Sequence, residues 1–208
     1  MYTVTGTRPD LAFTITLLLQ YLTCPIKEHF GAVKHVLRYL EGTKEHKLCF
    51  PYGKPLVLEI FTDSNFAACQ DTRRSTSGYI FKLGGAIGWR SRKQRSVATS
   101  TLEVEYMVCT QAAKHHIWLE RALIELCYHN IPSALSCDNK GSIDLTENAR
   151  IGDRSKHIDI AYHFIRELVE NGALTILHIP SKLNPADLCT KAYHGLKTGQ
   201  LKKAKNRG

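Results

Sequence analysis

No two of the seven cysteines in this 208-residue chain have C-x-x-C spacing. Cys24, Cys49, Cys69, Cys109, Cys127, Cys137 and Cys189 are scattered and odd in number, which argues against a disulfide framework and a structural zinc site. The ten histidines do not join them at ligand spacing. No apolar run approaches the ~20 residues of a membrane helix, and the N-terminus lacks the basic-then-apolar order of a signal peptide. These absences predict a soluble intracellular protein in a reducing compartment, cytoplasmic with nuclear access open, and no membrane partner. Internal repeats and low-complexity tracts are missing too. Acids are scarce: 19 Asp and Glu against 28 Lys and Arg give a formal charge of +9. Such a balance favours nucleic acid, an anionic surface or an acidic protein as partner. Part of the excess, Lys197, Lys202, Lys203, Lys205 and Arg207, forms a tail that reads as a solvated end.

What is present is an apolar run that ends on an acid. Leu56-Val57-Leu58-Glu59-Ile60-Phe61-Thr62-Asp63 reads as a buried strand whose last residue delivers a carboxylate to a sheet edge, closed by Ser64 and Asn65. Ahead of it, residues 1–50 read as a helical pair. Leu11, Ile15, Leu18 and Leu22 make one stripe, broken at Cys24-Pro25; Phe30, Val33, Leu37 and Leu40 make another, stopped at Glu41-Gly42. Two such helices bury little surface alone, so their faces need the following domain or a segment outside this chain. Met1 stands so close to the first helix that the chain reads as part of a longer design. Turn-rich Pro51-Tyr52-Gly53-Lys54-Pro55 marks the boundary. A domain over 51–194 and a basic tail over 195–208 complete the division.

Beyond Asp63 a polar loop carries Arg73 and Arg74, followed by strands over 78–83 and 86–89 joined at Gly84-Gly85. A basic loop, Arg90-Ser91-Arg92-Lys93-Gln94-Arg95, leads to Ser100-Thr101, hydroxyls suited to cap a long helix striped by Val104, Val108, Ala112, Leu119, Leu123 and Leu126. A short strand over 134–138 ends in Asp138; a short helix to about Asn148 and a charged loop from Arg150 follow. Ile158, Tyr162, Ile165 and Val169 mark another helix, then a strand over 174–178 and a C-terminal helix carrying Asp187. This order makes an α/β layer fold with an antiparallel meander first. If the long helix crosses back to a strand parallel to the first, Asp63 and Asp138 emerge side by side, at the sheet end where α/β folds place ligands.

Glu103 and Glu105 open the long helix beside that same end, and Asp187 starts the last one. Each acid alone fits a turn, a cap or a solvated helix start. Four together repel one another unless cations neutralise them, and hard oxygen ligands suit magnesium or manganese. Two such ions about 4 Å apart activate a water and stabilise the leaving oxygen in phosphodiester hydrolysis.

The motifs resemble one family. Thr62-Asp63-Ser64, Arg74-Ser75-Thr76-Ser77-Gly78-Tyr79, Trp89 with Lys93-Gln94, Ser100-Thr101-Leu102-Glu103-Val104-Glu105-Tyr106 and Cys137-Asp138-Asn139 come first. Lys156-His157-Ile158-Asp159-Ile160, His163-Phe164-Ile165-Arg166-Glu167, Ala186-Asp187 and Thr190-Lys191 follow in the same order. Together they resemble the ribonuclease H domain of copia-type LTR retrotransposon Pol polyproteins, over roughly residues 56–191. The stretch from Thr7-Arg8-Pro9-Asp10 to Arg38-Tyr39-Leu40-Glu41-Gly42-Thr43 resembles that family's connecting region after the polymerase.

The resemblance implies a ribonuclease H-like mixed five-stranded sheet flanked by helices, preceded by the N-terminal helical pair. It implies a two-ion Mg2+ (or Mn2+) nuclease that hydrolyses the RNA strand of RNA–DNA hybrids, partnered by the reverse-transcriptase polymerase region. Asp63, Asp138 and Asp187 carry over as catalytic metal ligands. Glu105 is preferred as the fourth, because an apolar run, Tyr106-Met107-Val108, follows it and because it lies further into the helix; Glu103 is the alternative. Arg73, Arg74, Arg92, Lys93 and Gln94 are candidate contacts to the hybrid. Asn65, Phe66 and Leu102 depart from the family pattern, and no histidine is expected on the loop over 179–182. His157 and His163 read as capping or packing residues. No paired-aspartate polymerase motif is present. The competing reading is a catalytically silent, nucleic-acid-binding or structural remnant with the same fold.

Overall fold

The computed structural model describes residues 2–53, 55–69, 72–98, 100–139 and 156–191, without the side chains of 156–159. The short helix expected before Asn148, the loop from Arg150 and the basic tail lie outside the described residues.

Helices α1 (Tyr2–Gly6), α2 (Ala12–Leu19) and α3 (Lys27–Gly42) come first. Strands β1 (Leu58–Asn65), β2 (Thr76–Leu83) and β3 (Gly85–Lys93) form the antiparallel meander. Helix α4 (Thr101–Glu125) leads to β4 (Ser133–Cys137), and α5 (Lys156–Glu170) precedes β5 (Thr175–His178). The sheet order is β3-β2-β1-β4-β5, with β4 and β5 parallel to β1. This is the expected mixed five-stranded sheet flanked by helices.

Side chains alternate between faces along a strand. One face sends Leu58, Ile60, Tyr79, Phe81, Leu135 and Cys137 against Tyr106, Cys109, Ala112 and Ala113 of α4 and Tyr162 and Ile165 of α5. The other face is covered near β2 and β3: Ile80 and Ala86 meet Ala12 and Cys189, with Val4, Leu48 and Trp89 packed around them. Trp89 Nε1 donates to the Val4 carbonyl at 2.8 Å, and Thr16 Oγ1 to the Ser91 carbonyl at 3.2 Å. The N-terminal segment is thus a lid on the meander. Its ends are tied by a buried fork, in which Arg8 donates to both Asp10 oxygens at 3.0 and 2.8 Å and Tyr39 donates to Asp10 at 2.8 Å. Burial raises the Asp10 carboxyl, but the Arg8 and Tyr39 hydrogen bonds outweigh it and hold the group below its ordinary range.

Three expectations need correcting. Asp63 does not end its strand: β1 runs on to Asn65, because Ser64 and Asn65 pair with Ser77 and Thr76. The basic loop is largely strand: β3 continues through Arg92 and Lys93, an edge position where charged side chains are tolerated. Asp187 stands on a short 3₁₀ turn, Pro185–Cys189, not on a regular helix.

Candidate active site

The parallel pairing of β1 with β4 stops at Phe61 opposite Ser136. Continuing that register by two residues sets Asp63 level with Asp138, on the face away from α4. Gly78 stands opposite Asp63 on the other side. A Cβ on Gly78 would lie 2.6 Å from Cys189 Cβ and 2.7 Å from Thr190 Cγ2. The bare glycine therefore lets the 185–190 turn lie directly over Asp63.

Four hydrogen bonds fix that turn. Buried Asn184 donates to the Thr62 carbonyl at 2.8 Å and accepts from the Ala186 N–H at 3.1 Å, capping the turn and tying it to β1. Asn65 Nδ2 donates to the Thr190 carbonyl at 3.3 Å, a bond that an acid at this position cannot make. Thr190 Oγ1 donates to Asp63 Oδ2. Lys191 then reaches Asp187 Oδ1 at 2.8 Å and Asp63 Oδ2 at 3.6 Å, so one ammonium bridges two buried carboxylates.

The fourth acid arrives from the other side of the sheet end. Glu105 accepts from Ser64 Oγ at 2.6 Å, while its second oxygen, Oε2, is buried and accepts no hydrogen bond from the described residues. Burial, then repulsion from Asp63 and Asp138, pushes its carboxyl up to about 8 against the pull of Ser64. Asp63 is also raised, by burial first, with Thr190 and Lys191 opposing and Asp138 adding. Asp138 is half-buried and accepts from Ser181 Oγ. Glu103 is buried as well, and its N–H bonds the N-cap Ser100 Oγ at 3.1 Å. Two residues apart on a helix means about 200° around its axis, so Glu103 and Glu105 cannot share a direction. Glu105 is the one that meets Ser64 and feels Asp63 and Asp138.

Among the described residues, no three His, Cys, Asp or Glu side chains close into a ready-made metal-ligating group. Hydroxyls and the Lys191 ammonium take up the carboxylate oxygens instead. The donor set nonetheless suits a hard divalent cation: carboxylate oxygens from four segments, with Glu105 Oε2 buried and without a hydrogen bond among the described residues.

No family model matches the chain. It is 44% identical over 192 residues to the retrovirus-related Pol polyprotein from transposon TNT 1-94 of Nicotiana tabacum, covering 92% of this chain and 14% of that one. It is 38% identical over 187 residues to the corresponding polyprotein from transposon RE2 of Arabidopsis thaliana, covering 89% of this chain and 13% of that one. The homologues of this chain are retrovirus-related Pol polyproteins of copia-type transposons. The chain spans about a seventh of the length of the curated Pol relatives named here. Among solved structures, LC11-RNase H1, isolated from compost, superposes with a TM-score of 0.50 at 14% identity, over 64% of this chain and 92% of that one. That likeness establishes the ribonuclease H fold for this chain.

The basic candidates separate in the structure. Arg73 and Arg74 are exposed on the loop before β2. Arg92 is half-buried on β3. Lys93 Nζ is engaged by Gln20 Oε1 at 3.1 Å and Cys69 Sγ at 2.8 Å. Gln94 is buried, donating to Ser77 Oγ at 2.7 Å, and so works inside the fold. Sequence spacing missed Ser64 and Ser181 as partners of the acids. Thr190 and Lys191 were signalled only by the family motif, since 127 residues separate Thr190 from Asp63.

Proposed function

We propose that this chain is a metal-dependent ribonuclease H that hydrolyses the RNA strand of RNA–DNA hybrids. The observation that carries the reading is Glu105: a buried carboxyl raised to about 8, with one oxygen that accepts no hydrogen bond from the described residues, within electrostatic reach of Asp63 and Asp138. A nearby cation stabilises such a group as an anion, beyond what the Ser64 hydrogen bond supplies. Asp63, Glu105, Asp138 and Asp187 would hold Mg2+ or Mn2+ ions. Bound there, the ions supply an activated water and stabilise the leaving oxygen. The protein's own residues prepare the place. Ser64 orients Glu105, Thr190 orients Asp63, and the Asn184 and Asn65 bonds fix the turn that brings Asp187. Lys191 balances the acids while no divalent cation is held. Exposed Arg73 and Arg74 and half-buried Arg92 supply charge for the phosphate backbone.

The Lys191 bridge favours a second reading, a silent remnant that binds nucleic acid with the ammonium standing permanently in a cation's place. One assay separates the two. With Mg2+ the chain should cut the RNA of a hybrid, spare single-stranded RNA, and stop on chelation. Asp63→Asn should abolish cutting while hybrid binding persists. Cleavage unchanged by Asp63→Asn, or none from the parent chain at any Mg2+ or Mn2+ concentration, counts against the nuclease.

A further inference from the structure

Cys69 is held differently from the other cysteines. Lys93 Nζ, at the end of edge strand β3, donates to Cys69 Sγ at 2.8 Å. The other sulfur contacts among the described residues run from 3.6 to 4.0 Å. Charge assistance is what shortens a hydrogen bond in this way. Among the described residues no carboxylate pairs with Lys93, whose second acceptor is the neutral Gln20 Oε1 at 3.1 Å. A sulfur therefore stands where a counter-charge would. An ammonium beside a thiol favours the thiolate, the form that attacks an electrophile. Both side chains are half-buried, within reach of a small solute.

The loop between β1 and β2 fixes the thiol in place. The Cys69 N–H donates to the Arg74 carbonyl at 3.1 Å, and the Arg73 N–H to the Cys69 carbonyl at 2.7 Å. The Ala67 N–H donates to Ser75 Oγ at 3.1 Å. Ala67 and Arg73 take left-handed backbone, with φ of 47° and 52°. Side chains other than glycine keep that conformation only where the surroundings hold it. The remaining cysteines lack this setting. Cys109, Cys137 and Cys189 are buried, and burial pushes the Cys189 thiol up to about 12. Cys24 and Cys127 are exposed and Cys49 is half-buried, and among the described residues none of the three meets an ammonium or guanidinium.

We propose that Cys69 and Lys93 form an oxidisable latch, in which a hydroperoxide turns the thiolate into a sulfenic acid and the Lys93 amine then displaces its oxygen. First the sulfur attacks the peroxide. An S–O bond forms, the O–O bond breaks, and the leaving hydroxide takes a proton from the Lys93 ammonium and departs as water. Sulfur is oxidised and the peroxide reduced. The amine left beside the sulfenic acid is neutral. It then attacks sulfur: an S–N bond forms, the S–O bond breaks, and the hydroxide leaves as water with a proton from the amine. The sulfenamide ties the loop that carries Arg73 and Arg74 to β3 and removes one positive charge. Two thiols reverse it. One attacks sulfur, forming a mixed disulfide and freeing the amine; the other releases the Cys69 thiol and pairs with the first. Neither step calls on the carboxylates, so the latch stands or falls apart from hybrid cleavage.

The test treats the full chain with hydrogen peroxide in EDTA and maps its peptides by mass spectrometry without reductant. The peptides that hold Cys69 and Lys93 should appear joined, lighter by two hydrogens than the separate pair, and dithiothreitol should part them. Lys93→Arg keeps a cation and offers no amine. In that variant the joined pair should vanish, and dimedone should instead capture a sulfenic acid at Cys69. Lys93→Met removes the cation, and oxidation of Cys69 should then slow to the rate at exposed Cys24 and Cys127. Far-UV circular dichroism checks that both variants fold. Cys69 oxidised no faster than Cys24 and Cys127 in the parent overturns the latch. So does a dimedone adduct at Cys69 in the parent with no bond to Lys93, or a disulfide from Cys69 to another cysteine in place of that bond.

Discussion

Glu105 is asked to do two opposed things. Its apolar surroundings and the acids across from it favour the proton, while Ser64 Oγ favours the anion. Its carboxyl ionises near 4.5 in an unfolded chain and at about 8 in the fold. A raised carboxyl means that the folded state holds its proton more tightly. Its contribution is fully present below the unfolded value and is lost as pH climbs through the folded one. Metal-free stability should therefore fall between about pH 4.5 and about 8, at up to about 1.4 kcal/mol per pH unit. Asp63, also raised, acts with the same sign. Glu105→Gln should flatten the profile by its own share, as read from urea midpoints in EDTA across that window. Parallel profiles for parent and variant would show that the carboxyl titrates normally. His116 runs the other way. Buried, with both ring nitrogens unbonded among the described residues, it is lowered by burial and costs stability as pH falls below its ordinary range.

Among the elements, the 185–190 turn has the most consequence for its length, and Gly78 is what lets it lie flat. Gly78→Ala would set a methyl at 2.6 Å from Cys189 Cβ and 3.1 Å from the Cys189 carbonyl carbon, so backbone as well as side chain must move. Overpacking of this kind costs about 1–3 kcal/mol. Because Asp187, Thr190 and Lys191 ride on the turn, hybrid cleavage should fall further than stability does. Full activity with an unchanged denaturation midpoint would mean that the turn does not depend on that contact. The same elements show where sequence reading stops. The five strands were legible because apolar residues cluster in short runs between turn signals, and parallel return after a long helix set Asp63 beside Asp138. β3 was underestimated because its second half pairs with the polar start of β2, so no apolar alternation marks it. Gln94 read as a loop contact because nothing local shows that Ser77 waits behind it. Asp187 was legible as an acid near the sheet end but not as part of a 3₁₀ turn, whose cap Asn184 is bonded to Thr62, 122 residues away.

For the whole molecule, charge is distributed unevenly: a net +9 overall, yet carboxylates gathered at one end of the sheet. The N-terminal segment belongs to this architecture, since Val4, Ala12 and Leu48 cover Ile80, Ala86 and Trp89. Three of the gathered carboxylates, Asp63, Glu105 and Asp187, are buried, and Lys191 bridges Asp63 to Asp187. A divalent cation that binds this end in the folded state and not in the unfolded chain must raise stability by mass action. At about a hundredfold excess over Kd the gain is about 2.7 kcal/mol. For a chain of this size each kcal/mol moves the melting midpoint by about 2–4 °C, so saturating Mg2+ should raise Tm by about 5–10 °C. Binding must displace a proton from Glu105 at any pH below about 8, so the shift should grow as pH rises toward that value. Asp63→Asn should lose most of the shift. An equal rise from sodium chloride at matched ionic strength, or an undiminished rise in Asp63→Asn, would assign the effect to general screening of the acids and not to ions held between them.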